Sequence, residues 1–171
     1  SRDISMKIRA SQNVKREKGE YFGSHAPYGY KKDPENHNHL IIDEPAAEVV
    51  RKIYAMKIDG YSCNSIATEL AKTVTLCPAS YKKKNGENYM KNRKTRLSEW
   101  TPQQVIRTLK SEMYIGNMVQ GKSSRVSYKV HKRIKKPQEE WIVVEGTHEP
   151  IVSKEDFLLV QSLLERATMK K

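Results

Sequence analysis

Trp100-Thr-Pro-Gln-Gln-Val-Ile-Arg-Thr-Leu-Lys-Ser-Glu-Met-Tyr-Ile-Gly116 contains the clearest helix start in the chain. Thr101 is placed to N-cap, Pro102 takes the first helical position, and Gln104 completes a capping box three residues after the cap. Trp100 and Val105 occupy the two positions of a hydrophobic staple, which sets the angle at which the chain enters the helix. Val105, Ile106, Leu109 and Met113 recur at helical spacing and form the inward stripe. Gln103, Gln104, Arg107, Thr108, Lys110 and Ser111 are left facing out, with no acid before Glu112. Gln and Arg are the side chains that make paired hydrogen bonds to adenine and guanine edges in a major groove. The segment therefore reads as a DNA recognition helix. An ordinary amphipathic surface helix fits this stretch equally well when it is taken alone.

The rest of the chain tilts that balance. Its 171 residues allow one medium domain, or one domain with a small extension. Lys and Arg number 32 against 20 Asp and Glu, a formal charge of +12, which favours a polyanionic partner. No apolar run approaches a membrane span and no signal peptide is present, so the expected compartment is cytoplasmic. Two cysteines, Cys63 and Cys77, make neither a disulfide framework nor a zinc quartet and read as idle or buried thiols. His37 and His39 flank Asn38 without a third ligand at a familiar spacing, so they read as solvated turn residues. No cofactor, metal site or catalytic residue is expected. Ser5, Ser11 and Ser24 lack a nearby activating histidine and acid with triad character.

Residues 1–18 read as a charged helix with a thin apolar stripe of Ile4, Ile8 and Val14. Gly19, Gly23, Pro27 and Gly29 then break the chain, and Tyr28-Gly29-Tyr30 suits a tight turn packing both rings on a domain body. Asp33-Pro-Glu-Asn-His-Asn38 reads as a turn between two short strands, the second ending at Asp43. Glu44 to Asp59 is a helix opened by Pro45 and closed by Gly60, with Ala46, Val49, Val50, Ile53, Tyr54, Met56 and Lys57 as its broad apolar face. Ser62 caps the next, whose inward stripe is Ile66, Ala67, Leu70 and Ala71. Helix, glycine turn, short helix and capped third helix is the order of a helix-turn-helix unit. Some thirty residues separate the second and third helices where a compact unit uses three or four.

Within that insertion, 78–98, Lys82, Lys83, Lys84, Lys91, Arg93, Lys94 and Arg96 face one acid, Glu87, with Tyr81 and Tyr89 interleaved. It reads as a solvated basic loop suited to phosphate contact. After the third helix, 114–120 and 125–134 alternate as strands joined by Gly121-Lys-Ser-Ser124, and Trp141–Val144 gives a third. Lys122, Arg125, Lys129, Lys132, Arg133, Lys135 and Lys136 fall in a stretch with no acid. Such a hairpin is either a wing lying on phosphates or an edge protected by lysines. A last helix starts with Ser153 as cap and carries Phe157, Val160, Leu163 and Leu164 inward.

Together these pieces resemble the "recombinase" DNA-binding domain of the large serine recombinases, the integrases and transposases of phages and mobile elements. The matching stretches are Gly23-Ser-His-Ala-Pro-Tyr-Gly-Tyr30, Ile42-Asp-Glu-Pro-Ala-Ala-Glu-Val-Val-Arg-Lys-Ile53 and Gly60-Tyr-Ser-Cys-Asn-Ser-Ile-Ala67. Trp100 to Leu109, Tyr114-Ile-Gly116 and His148-Glu-Pro-Ile-Val-Ser153 complete the set. The resemblance implies a module that holds one half of an attachment site and follows a catalytic domain bearing the nucleophilic serine. It makes 1–20 the end of a linker helix and 21–146 the DNA-binding domain. That domain carries a helix-turn-helix at 46–72 and 101–113 and a basic hairpin at 114–145. Residues 147–171 become a linker and the first helix of a zinc-ribbon domain, whose cysteine ligands have no counterpart here.

The expected fold is α+β, a helix-turn-helix or winged-helix-like domain with a small β-hairpin or three-stranded sheet. The expected partner is double-stranded DNA, with Gln103, Gln104, Arg107 and Lys110 on base edges. Lys82, Lys83, Lys84, Arg93, Lys94, Arg96, Lys122, Arg125, Lys129 and Arg133 are assigned to phosphates. The chain itself is expected to be monomeric and non-catalytic, oligomerising only through other domains. A stand-alone winged-helix regulator or an RNA-binding protein would use the same basic face. The abrupt first helix and uncapped last one favour the recombinase module. Membrane-surface binding fits less well, because the cations sit in loops and a hairpin rather than on one amphipathic helix.

Overall fold

The computed structural model describes residues 2–88, 99–127 and 129–169. Among these, the order is α1 (Arg2–Glu17), β1 (Tyr30–Lys32), β2 (Leu40–Ile42), α2 (Glu44–Ile58), α3 (Cys63–Lys72), α4 (Pro78–Lys84) and α5 (Pro102–Lys110). A 3-10 turn (Glu112–Ile115), β3 (Met118–Gln120), β4 (Ser123–Arg125), β5 (Arg133–Lys135), a 3-10 turn (Gln138–Glu140), β6 (Ile142–Val144) and α6 (Lys154–Met169) follow. The chain divides into two compact units. One takes residues from 1–24, 32–41 and 112–150, the other from 25–31, 42–111 and 151–171.

The second unit is helical. Val50, Ile53 and Tyr54 of α2, Ile66 and Leu70 of α3, Val105 and Leu109 of α5, and Phe157 and Val160 of α6 are among its buried side chains. They belong to the inward stripes expected from spacing, and they meet where α2, α3, α5 and α6 pack on one another. Ser62 caps α3 through the Ser65 amide, and Gly60 turns the preceding corner at φ 99°. One expectation changes here. Residues 78–84 form α4, started by Pro78, instead of a loop. The last helix, α6, packs against α2 and α5 as part of this core.

An aromatic cluster closes the core where the insertion leaves and returns. The Tyr28 ring meets Tyr81 at 5.6 Å and Trp100 at 5.4 Å, both edge-on. Such pairs add about 0.5–1.5 kcal/mol beyond their buried area. The Trp100 indole N–H donates to the Leu76 carbonyl at 3.0 Å, and the Tyr81 hydroxyl donates to Asp43 Oδ2 at 2.8 Å. Burial pushes the Tyr28 and Tyr81 phenols above their ordinary range, so both remain donors at neutral pH.

In the first unit, α1 lies beside β6 and buries none of its residues. Its stripe of Ile4, Ile8 and Val14 stays about half exposed or more. Gln120 of β3 pins the segment after α1, its amide donating to the Glu20 carbonyl at 2.7 Å and accepting from the Phe22 amide. Residues 33–39 make the expected turn, with Asp33 Oδ1 accepting from the Glu35 amide.

The hairpin register departs from expectation. Gly121-Lys-Ser-Ser124 does not turn 114–120 back onto 125–134. Instead β3 pairs with β6 and β4 with β5, both antiparallel, as successive pieces of one ribbon interrupted at Gly121 and at 137–141. Residues 112–115 are a 3-10 turn rather than the start of a strand.

Candidate nucleic-acid interface

The helical unit holds α5 at both ends. At its start Thr101 Oγ1 accepts from the Gln104 amide, and the Gln104 side chain accepts from the Thr101 amide at 2.9 Å. At its end the Tyr54 hydroxyl lies 3.1 Å from the carbonyls of both Thr108 and Leu109. The Gln161 amide of α6 donates to Leu109 at 2.7 Å. The last carbonyls of a helix have no partner within it, so α2 and α6 supply them. Burial raises the Tyr54 phenol well above its ordinary range, which keeps the donor protonated.

What α5 leaves outward is narrower than its sequence suggests. Gln103, Arg107 and Lys110 are exposed and, at i, i+4 and i+7, share one face. Gln104 is half-buried, its side-chain oxygen turned back into the capping box and away from that face. Thr108, expected outside, is buried, because its hydroxyl is satisfied inside the helix by the Gln104 carbonyl at 3.0 Å.

Among the described residues of the insertion, the three lysines differ in exposure. Lys82 is half-buried and donates to the Ala26 carbonyl at 2.6 Å, and burial lowers its pKa. This bond ties α4 to the segment before β1. Lys83 and Lys84 are exposed on the last turn of α4. Arg93, Lys94 and Arg96 lie outside the described residues.

The ribbon of the other unit is the second cationic surface. Every residue of β4 and β5 is exposed. The register sets Arg125 opposite Arg133 and Ser123 opposite Lys135, and directly opposed residues share a face. That face carries three cations, with Lys129 exposed near the tip. Like charges placed opposite each other destabilise a strand pair by about 0.2–1 kcal/mol. Among the described residues, no ion pair involves Arg125, Arg133 or Lys135. Lys122 is drawn aside, its ammonium 5.0 Å from the centre of the Trp141 ring. Lys135 falls outside the phosphate set assigned from sequence. The β4–β5 register puts it on the same face as Arg125 and Arg133.

Two of the family-like stretches meet in the first unit. His148 Nε2 lies within hydrogen-bonding distance of the Met113 carbonyl, and Nδ1 is 2.7 Å from the Thr147 hydroxyl. The Thr147 amide donates to the Gly116 carbonyl at 3.0 Å. Burial depresses the His148 pKa, which makes it a neutral structural clasp. Among the described residues, no group of His, Cys, Asp and Glu is arranged to hold a metal ion. Nor is any helix there long and apolar enough to cross a membrane.

Comparison with known proteins places this arrangement. The family model Recombinase matches residues 44–167, α2 through most of α6. The solved structure reported as "Crystal Structure of a LSR-DNA Complex" superposes with a TM-score of 0.56 at 22% identity, covering 93% of this chain. That reported as "Sequence Requirements of the Listeria innocua prophage attP site" superposes at 0.54 with 23% identity over 92%. At such identities the likeness shows a shared α+β fold. This chain spans 39% and 51% of the length of those two chains.

Proposed function

This chain belongs to the Recombinase family, and we propose that it binds duplex DNA sequence-specifically, as the module that holds one half of an attachment site. The observation that carries this reading is the outward triad of α5. Gln103, Arg107 and Lys110 sit on a helix whose two ends are fixed by a capping box and by Tyr54 and Gln161. A side chain reads a base edge only if its backbone is held to about an ångström, and those end contacts supply the rigidity. The cations of the ribbon supply phosphate contacts, which fix register and orientation on the duplex. The two structural neighbours are named for an LSR–DNA complex and a prophage attP site, which supports the same partner.

In this reading the chain is monomeric, positions a reaction, and does not perform it. Its binding energy raises the effective concentration of a separate serine-bearing domain at the phosphodiester. Selection of bound fragments from a random duplex pool tests the proposal. One motif should be enriched, and the purified chain should leave a supercoiled plasmid bearing that motif intact. Fused behind a serine recombinase catalytic domain, it should direct cutting to the motif. Nicking by the chain alone, abolished by a single Ser→Ala change, would make it an enzyme and overturn the positional role.

A further inference from the structure

The β4–β5 ribbon carries more than charge. Val126, Val130 and Ile134 are about half exposed, within the stretch 125–134 that also holds Arg125, Lys129, Lys132 and Arg133. Ile134 stands opposite Ser124, on the face away from Arg125 and Arg133. The ladder is continued at both ends, by the Val126 amide to the Lys132 carbonyl and the Lys136 amide to the Lys122 carbonyl. The strand pair is therefore formed over its length although its side chains stay exposed on both faces.

A ribbon that only rested on a phosphate row would have no use for the exposed Val130 at its tip, whereas Val126 borders a cleft it shares with Met6 and Arg9 of α1. Exposed β-branched residues flanked by arginines are the equipment of a minor-groove contact. Apolar groups enter there against the base edges, and the groove's negative potential draws arginine. We infer that the ribbon tip enters the minor groove of the bound duplex, with Val130 at the groove floor, Val126 and Ile134 on one ribbon face toward one wall and Arg125 and Arg133 on the other face toward the opposite wall. This rests on the duplex-DNA reading above and assigns the ribbon its own specificity. It prefers sequences without the guanine 2-amino group, independently of what α5 reads.

Inosine tests this directly, because an I·C pair keeps the major-groove pattern of G·C but lacks that amino group. Affinity of the whole chain is measured on a short G·C-rich duplex and on its I·C counterpart. Wild type should bind the I·C duplex several-fold more tightly. The exposed-site variant V126S/V130S/I134S, checked for an unchanged melting profile, should lose that preference while still binding. R125A/R133A should weaken both duplexes and flatten the salt slope by about 0.9 for each phosphate no longer neutralised. Equal wild-type affinity for the two duplexes would overturn the minor-groove assignment and leave DNA binding intact. Absence of salt-dependent binding to either would overturn both.

Discussion

The Tyr54 hydroxyl donates to the end of α5, 3.1 Å from the carbonyl oxygens of Thr108 and Leu109. One phenol on α2 thereby closes the open end of the helix whose outer face is proposed to read DNA. Gln161 on α6 adds a second donor to Leu109. The two scaffold helices hold α5 by its backbone and leave Gln103, Arg107 and Lys110 turned outward.

Tyr54→Phe keeps the ring and removes the donor. The buried Thr108 carbonyl keeps only the 3.4 Å bond from the Ser111 amide, and stability should fall by about 0.5–1.5 kcal/mol in a denaturant melt. Affinity for the selected site should fall further than affinity for random DNA, since only base reading needs an accurately held α5. Gln161→Leu should act in the same direction and more weakly, because Leu109 keeps Tyr54. A Tyr54→Phe protein with unchanged stability and specificity would separate this contact from the site.

Gln103 and Gln104 are adjacent and chemically identical, yet their variants should behave differently. Gln104→Ala breaks the capping box and should cost about 1 kcal/mol of stability, with base preference unchanged. Gln103→Ala should leave the melt unaltered and relax preference at one position of the selected motif. Selection repeated with each variant decides between them. Relaxed preference from Gln104→Ala at unchanged stability would contradict the division.

The clasp between His148, Met113 and Thr147 predicts a pH dependence of known sign. Burial lowers the folded-state pKa of His148 below its ordinary 6.5, so the unfolded chain binds the proton more readily. Stability is then fully present above about pH 6.5 and declines as pH falls toward the depressed folded value. Melting temperature should drop from neutral to mildly acidic solution, and His148→Gln should flatten that drop. A profile unchanged by the substitution would show that His148 does not titrate in this way.

Gly116 adopts φ 90°, and a β-carbon there would lie 2.8 Å from the His148 carbonyl oxygen. Gly116→Ala therefore combines left-handed strain with a clash against backbone that cannot swing away. The first unit should be destabilised, read as weaker amide protection at Thr147, whose N–H bonds to Gly116. Full retention of protection would mean the turn relaxes at no cost.

Much of this fold is legible in the sequence because its signals are local. The capping box at Thr101, the Gly60 corner, the Ser62 cap and the stripes of α2, α3 and α5 all lie within a few residues of what they determine. The features that escape sequence reasoning share a dependence on distant partners. Residues 78–84 look like a charged loop until Tyr81 finds Asp43 and Lys82 finds the Ala26 carbonyl. The Gly121 turn looks like a hairpin because alternation fixes a strand's face but not its partner, and β6 is that partner. The place of α6 cannot be read from its own stripe, since packing on α2 and α5 is a tertiary fact. For the candidate site, residue types are legible and their availability is not. Gln104, Thr108, Lys82 and Lys122 are each turned to an internal partner.

The most direct test of the central claim compares Arg107→Ala and Arg133→Ala on the selected duplex and on a scrambled one. If α5 reads bases and the ribbon holds backbone, Arg107→Ala costs about 1–3 kcal/mol on the selected site and little on the scrambled one. Arg133→Ala should weaken both alike and reduce the salt slope by about 0.9. Equal losses from Arg107→Ala on the two duplexes would contradict the assignment of α5 as the recognition helix.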